Sequence, residues 1–195
     1  MTSFSVPFMN LRGSVLFPGM VLTITVGRQE TIRAVKHAVD QGEGNLAVFT
    51  QRHVEDNGPI VAHEMFEYGV LCNATNSVFM PDGSALVHLE ALHVIRREEV
   101  QEKGAVQMAL VKDISTSGAD DVWQSASEIA APSLNFDLTR FLGSLFRNEE
   151  TGIDALKLKL LNDAVSKRQA ILEASGSKER RLALETVLEA AKLPI

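Results

Sequence analysis

Tyr68–Ile95 reads YGVLCNATNSVFMPDGSALVHLEALHVI. Before the turn, Val70, Cys72, Ala74, Val78 and Met80 recur at even spacing; after it, Ala85, Val87 and Leu89 do the same. Such alternation puts one set of side chains on one face of a strand. Between the two runs, Pro81 fixes φ at the first corner and Gly83 tolerates a positive φ. The stretch predicts a β-hairpin whose tip is Met80-Pro81-Asp82-Gly83.

Working outward, the same period recurs. Val21–Val26 alternates Leu22, Ile24 and Val26 with Thr23 and Thr25. Leu46–Thr50 is a short apolar run that predicts a buried strand, and Ala105–Ile114 predicts another, with Val106, Met108 and Leu110 facing one way. One helix interrupts the set: over Arg28–Asp40, Ile32, Val35 and Val39 fall at helical spacing, and Gly42 offers a stop. These elements predict a compact β-barrel or rolled sheet with one inserted helix over residues 4–116.

Ser115–Asp121 is polar, with Gly118, and reads as a linker or a bend. Beyond it the period turns helical. Asp121 can cap a helix that runs to Ala130, before Pro132. Ser133 can cap a second, with Leu138, Phe141, Leu142, Leu145 and Phe146 on one stripe. Asp154–Ala174 and Ser177–Lys192 predict two more, separated by Gly176. The chain is therefore expected to be α+β, a β-rich part followed by a helical bundle over residues 121–193.

Composition narrows the function. The 195 residues carry a formal net charge of −6 and 6% aromatic residues. A duplex-binding protein needs a basic footprint to neutralise phosphates, and base stacking needs aromatics. The basic clusters Lys157–Lys159, Lys167–Arg168 and Lys178–Arg181 are mixed with acidic or apolar residues and read as solvated helix faces. No nucleic-acid partner is expected. No run of about 18 apolar residues suggests a membrane span. The single cysteine, Cys72, lies in a predicted strand and reads as a small buried hydrophobe, a usage that fits a cytoplasmic protein.

Catalytic patterns are missing. No glycine-rich cradle ends in Gly-Lys-Ser/Thr, so nucleotide binding is not expected. His63-Glu64-Met65-Phe66 begins like the zinc motif His-Glu-x-x-His, but Phe66 stands where the second imidazole is needed. His88 and His93 lie at odd spacing in one predicted strand and cannot share a metal there. Ser166-Lys167 is a polar helix stretch, and Glu98-Glu99 reads as solvating charge beside a loop. No catalytic residue, metal or cofactor is predicted.

One ordered set of motifs does carry a family resemblance. Phe8–Leu22 contains Leu11-Arg12 and then Phe17-Pro18-Gly19-Met20, followed by Val26-Gly27-Arg28. In order come Leu46-Ala47-Val48-Phe49-Thr50-Gln51, Phe66-Glu67-Tyr68-Gly69-Val70, Met80-Pro81-Asp82-Gly83 and Ser177-Lys178-Glu179-Arg180-Arg181-Leu182. Over nearly its whole length the chain resembles the N-terminal, substrate-engaging domain of Lon-type ATP-dependent proteases. One departure is Glu90-Ala91-Leu92-His93-Val94, where the family commonly has Glu-Gly-x-x-Arg.

The resemblance implies a PUA-like fold for the β-rich part, and a non-catalytic role in recognising unfolded or damaged polypeptides and supporting assembly with other Lon subunits. Any parent protein is implied to be an ATP-dependent Ser-Lys endopeptidase. A stand-alone adaptor or regulator with the same fold is the alternative, and an RNA-binding PUA-like module is disfavoured by the acidic balance. Two readings of the apolar turn follow from its residues. Phe17 and Met20 can fold inward as core plugs. Otherwise Phe17, Pro18 and Met20, with Phe79 and Met80 at the hairpin tip, form an exposed patch that holds unfolded polypeptide.

Overall fold

The computed structural model describes residues 3–41, 43–53, 61–103, 105–114, 123, 126 and 151–191. The chain is α+β. Its strands are β1 (Ser3–Leu11), β2 (Val21–Val26), β3 (Asn45–Gln51), β4 (Met65–Asn73), β5 (Val78–Phe79), β6 (Ala85–Lys103) and β7 (Val106–Asp113). Its described helices are α1 (Gln29–Gln41), α2 (Thr151–Glu173) and α3 (Ser177–Ala191). The helices expected over 121–130 and from Ser133 lie outside the described residues, apart from positions 123 and 126.

The strands form one sheet in the order β2-β6-β4-β3-β1-β7, with β5 against β6. A further pairing joins β6 to β7, so β6, β4, β3, β1 and β7 make a closed circuit of neighbours. The device that permits this is β6. Its first residues pair with β2 and β5, its middle with β4 and its last with β7. Two register shifts interrupt it: Leu92 is passed over between Cys72↔Ala91 and Leu71↔His93, and Glu98 between Arg97↔Val111 and Glu99↔Leu110. An extra residue in one strand bends it and adds twist, which lets one long strand serve partners in different directions.

Two sequence expectations change here. Glu98-Glu99 lies within β6, not beside a loop; the charges are tolerated because that stretch pairs its backbone with β7 while its side chains face water. The stretch expected to run unbroken from Tyr68 to Met80 is divided into β4 and β5, with Ala74–Ser77 between them. Asn73 accepts hydrogen bonds on its side-chain oxygen from the Thr75 N–H and the Thr75 hydroxyl, a local turn that ends β4.

Contacts divide the chain into two compact units. The first comprises Met1–Asn10, Leu16–Phe49 and Glu67–Ala119. Its interior is aliphatic with a few rings: Phe8 of β1 meets Phe49 of β3 edge to face, centroids 6.0 Å apart, and Val87, Leu89 and Ile95 of β6 are fully buried. Gly69 is where β4 closes on β3; a Cβ there would strike the Val48 carbonyl oxygen and sit 2.5 Å from Phe49 Cδ1.

The second unit comprises Leu11–Val15, Thr50–Phe66 and Asp120–Ile195. In it, α2 and α3 pack on each other and bury Val165, Ile171 and Leu172 of α2 and Leu184 and Val187 of α3. Arg180 of α3 is buried too, and lays its guanidinium over the Trp123 ring at 4.7 Å. In the same unit the Arg12 Nε–H donates to Gln51 Oε1 at 3.1 Å, and the Thr50 hydroxyl donates to the Ser14 carbonyl at 3.1 Å.

Candidate functional site

Phe17-Pro18-Gly19-Met20 forms a tight turn. The Met20 N–H returns to the Phe17 carbonyl at 3.1 Å, and Gly19 sits at φ +84, the third-position conformation that a type II turn requires. The turn is folded inward. Phe17 is 0% exposed, Met20 is buried, and the Phe17 N–H points at the Met20 sulfur, 3.2 Å away. Pro18 is half-buried and Gly19 exposed. The carbonyl of Ala91 in β6 accepts the Gly19 N–H at 2.8 Å, and the Ala91 N–H donates to the Met20 carbonyl at 2.9 Å.

The hairpin tip is different. The Met80 N–H donates to the Ser84 carbonyl at 2.9 Å, and the Gly83 N–H to the Met80 carbonyl at 3.1 Å, with Gly83 at φ +85. Asp82 accepts from both the Ser84 N–H, 2.9 Å, and the Ser84 hydroxyl, 2.6 Å. Those two bonds hold the Asp82 carboxyl below its ordinary pKa. This polar frame leaves the apolar side chains outside: Phe79 is 40% exposed and Met80 46%.

The two halves of the proposed patch do not meet. Val21, next to Met20, pairs with Glu90, whereas Val26 at the other end of β2 pairs with Ala85, itself the partner of Phe79. The length of β2, roughly 17 Å at about 3.4 Å per residue, lies between them. What surrounds the hairpin tip instead is a row the sequence reading passed over. Thr25, Leu86 and Val78 stand opposite one another on adjacent strands, all exposed. Leu86 was findable: it alternates with the buried Ala85 and Val87, so an apolar side chain on the outer face was legible. Further along the same face the surface turns polar, where Thr23 Oγ1 lies 3.0 Å from His88 Nδ1.

The residues weighed for chemistry are scattered. His63 and Glu64 lie in a three-residue 3₁₀ turn, Ala62–Glu64, too short to present two ligands from one helical face. Ser166 and Lys167 turn back onto their own helix: the Ser166 hydroxyl donates to the Asn162 carbonyl at 2.9 Å, and Lys167 Nζ lies 2.7 Å from Asp163 Oδ2. Cys72 is fully buried, and desolvation pushes its thiol pKa far up. Among the described residues no group of His, Cys, Asp or Glu side chains could hold a metal ion. A polar cleft lined by Glu67, Arg96, Arg97 and Glu98 contains an exposed ion pair, Arg96 Nη2 to Glu67 Oε2 at 3.2 Å. No helix among the described residues is long and apolar enough to cross a membrane.

Comparison with known proteins gives one consistent result. Residues 5–190 match the family model of the ATP-dependent protease La (LON) substrate-binding domain. Lon protease of Flavobacterium johnsoniae is 26% identical over 196 aligned residues, covering 94% of this chain and 23% of that protein. Lon protease of Cytophaga hutchinsonii is 28% identical over 193 residues, covering 86% and 23%. The chain thus spans under a quarter of the length of these relatives. Two solved structures share the fold. The N-terminal domain of Mycobacterium avium complex Lon protease superposes with a TM-score of 0.57 at 18% identity, covering 97% of this chain and 100% of that one. The Lon N-terminal domain protein from Xanthomonas campestris gives 0.55 at 17%, covering 98% and 99%.

Proposed function

Because the chain belongs to the Lon substrate-binding domain family, we propose that it captures unfolded or damaged polypeptide for an ATP-dependent protease, and that the capture surface is centred on the β5–β6 hairpin. The observation that carries this reading is the apolar cluster of Val78, Phe79, Met80 and Leu86, each 40–54% exposed on a hairpin whose turn is held by the Met80–Ser84 and Gly83–Met80 backbone hydrogen bonds. Exposed apolar clusters mark interaction sites, and methionine adapts to ligands of varied shape. A rigid turn holds them out without an ordering cost on binding.

The closed circuit of strands supports a PUA-like barrel over residues 4–116, and the packing of α2 on α3 supports a helical bundle within 121–193. Phe17 and Met20 anchor the far end of the β2–β6 ladder as buried props, with Pro18 half-buried beside them. In a whole protease the ATPase and Ser-Lys peptidase steps belong to other segments, and this domain contributes recognition and contacts with neighbouring subunits in the cytoplasm.

The test is fluorescence anisotropy with labelled, reduced and carboxymethylated α-lactalbumin, which stays unfolded, beside its native form. The chain is expected to bind the unfolded form selectively, and the double substitution Phe79→Ser, Met80→Ser to weaken that binding severalfold with the fold intact. Undiminished binding by the double variant would rule out the hairpin as the capture surface.

A further inference from the structure

Among the described strands, the sheet has an open end. β2 closes the strand order, and its only neighbour among the described strands is β6. The Ala91 N–H bonds to the Met20 carbonyl, so the residues in phase with Met20, namely Leu22, Ile24 and Val26, turn their backbone groups toward β6. In an antiparallel ladder the alternate residues point the other way. Val21, Thr23 and Thr25 therefore present their N–H and C=O groups outward, at the regular repeat of an extended chain.

Natural sheets usually blunt such an edge with lysine, proline or a bulge. β2 has none of these: VLTITV carries no charge and pairs in unbroken register. Val21 is 61% exposed, and Thr25 adjoins the apolar row of Leu86 and Val78. The edge is thus continuous with the capture surface, and its neutral, β-branched side chains select against a charged occupant.

We propose that the outer edge of β2, unpaired among the described strands, takes an extended, neutral, β-branched-rich segment of unfolded polypeptide as an added strand. The inference rests on the capture reading above and makes it specific. Backbone groups supply the affinity, so many sequences qualify, while proline-rich or strongly acidic segments are passed over.

The experiment uses the 195-residue chain and a labelled, serine-flanked peptide of alternating valine and threonine. A second peptide has the same side chains with every backbone nitrogen methylated. Loss of two or three net hydrogen bonds predicts binding at least about tenfold weaker for the methylated peptide. Thr23→Pro removes an outward N–H at a position where an edge strand tolerates proline, and is expected to weaken the parent peptide by a similar factor. Circular dichroism reports whether that variant folds, and the methylated peptide tests the unaltered chain in any case.

Equal binding of the two peptides overturns the edge proposal. If Phe79→Ser, Met80→Ser still weakens capture of unfolded α-lactalbumin, the hairpin reading survives alone; if neither probe binds the unaltered chain, both fall. Sedimentation gives the remaining outcome: a dimer that Thr23→Pro dissociates would mean that a second copy occupies the edge, which also overturns the proposal.

Discussion

Met20 accepts a hydrogen bond from the Ala91 N–H at 2.9 Å, while Gly19 donates to the carbonyl of the same residue at 2.8 Å. Ala91 thus holds the apolar turn from both sides and fixes it as the first rung of the β2–β6 ladder. This pairing turns Phe17 inward and leaves the hairpin tip as the exposed apolar feature of the pair.

Phe17→Ala and Phe79→Ala should therefore behave differently in urea unfolding. The first empties a fully buried site and is expected to lower stability by about 3–5 kcal/mol. The second trims a side chain 40% exposed and should cost well under ~1 kcal/mol. Similar losses for both would contradict the inward turn.

Two glycines separate conformational from steric need. Gly19 has φ +84 but open space where a Cβ would point, so Gly19→Ala should cost about 1 kcal/mol, the penalty of a left-handed non-glycine residue. Gly69→Ala would drive a methyl into the Val48 carbonyl and the Phe49 ring, and is expected to cost about 3 kcal/mol or more, or to prevent folding. Thermal unfolding of the two variants measures the contrast.

At the hairpin tip, the Asp82 carboxyl titrates below its ordinary value of 3.8 because the Ser84 hydroxyl and N–H favour the charged form. A lowered folded-state pKa stabilises the ionised tip above the unfolded value, and that contribution is lost as pH falls through the folded one. Carboxyl-carbon NMR should show Asp82 titrating below the free residue, with Ser84→Ala moving it upward. An unchanged midpoint in Ser84→Ala would remove the hydroxyl as the main cause.

Cys72 should resist a thiol-specific reagent such as dithionitrobenzoate at mildly alkaline pH in the folded chain and react at once in denaturant. Its burial raises the thiol pKa and denies access together. Rapid modification of the folded chain would show that β4 opens readily.

Much of this fold was legible because its strands obey a simple period. β2 has the expected bounds, α1 is displaced by one residue, and β3 and β7 differ only at their ends. The misses have local causes. β1 escaped because Pro7 removes a ladder donor, and its buried run of Val6–Met9 does not alternate; its pairing with β7, Pro7 opposite Met108, is a tertiary fact. β6 was read only to Ile95 because Arg96-Arg97-Glu98-Glu99 looks like solvent-facing loop, and nothing local announces that β7 will pair with it. For the candidate site, the turn chemistry that exposes Phe79 and Met80 is written in Pro81-Asp82-Gly83-Ser84. The inward direction of Phe17 depends on Ala91, distant in sequence, and periodicity cannot supply it.

The reach of β6 also orders the birth of the domain. During synthesis β2 and β4 leave the ribosome with no partner from each other, since both pair to a strand that begins at Ala85. The circuit closes only when Val106–Asp113 has followed. β4 can pair with β3 and β3 with β1, but until β6 and β7 have followed, β2 and the outer sides of β4 and β1 stay unmatched, open to misassembly. The domain proposed to gather unfolded chains thus passes through a comparable state itself.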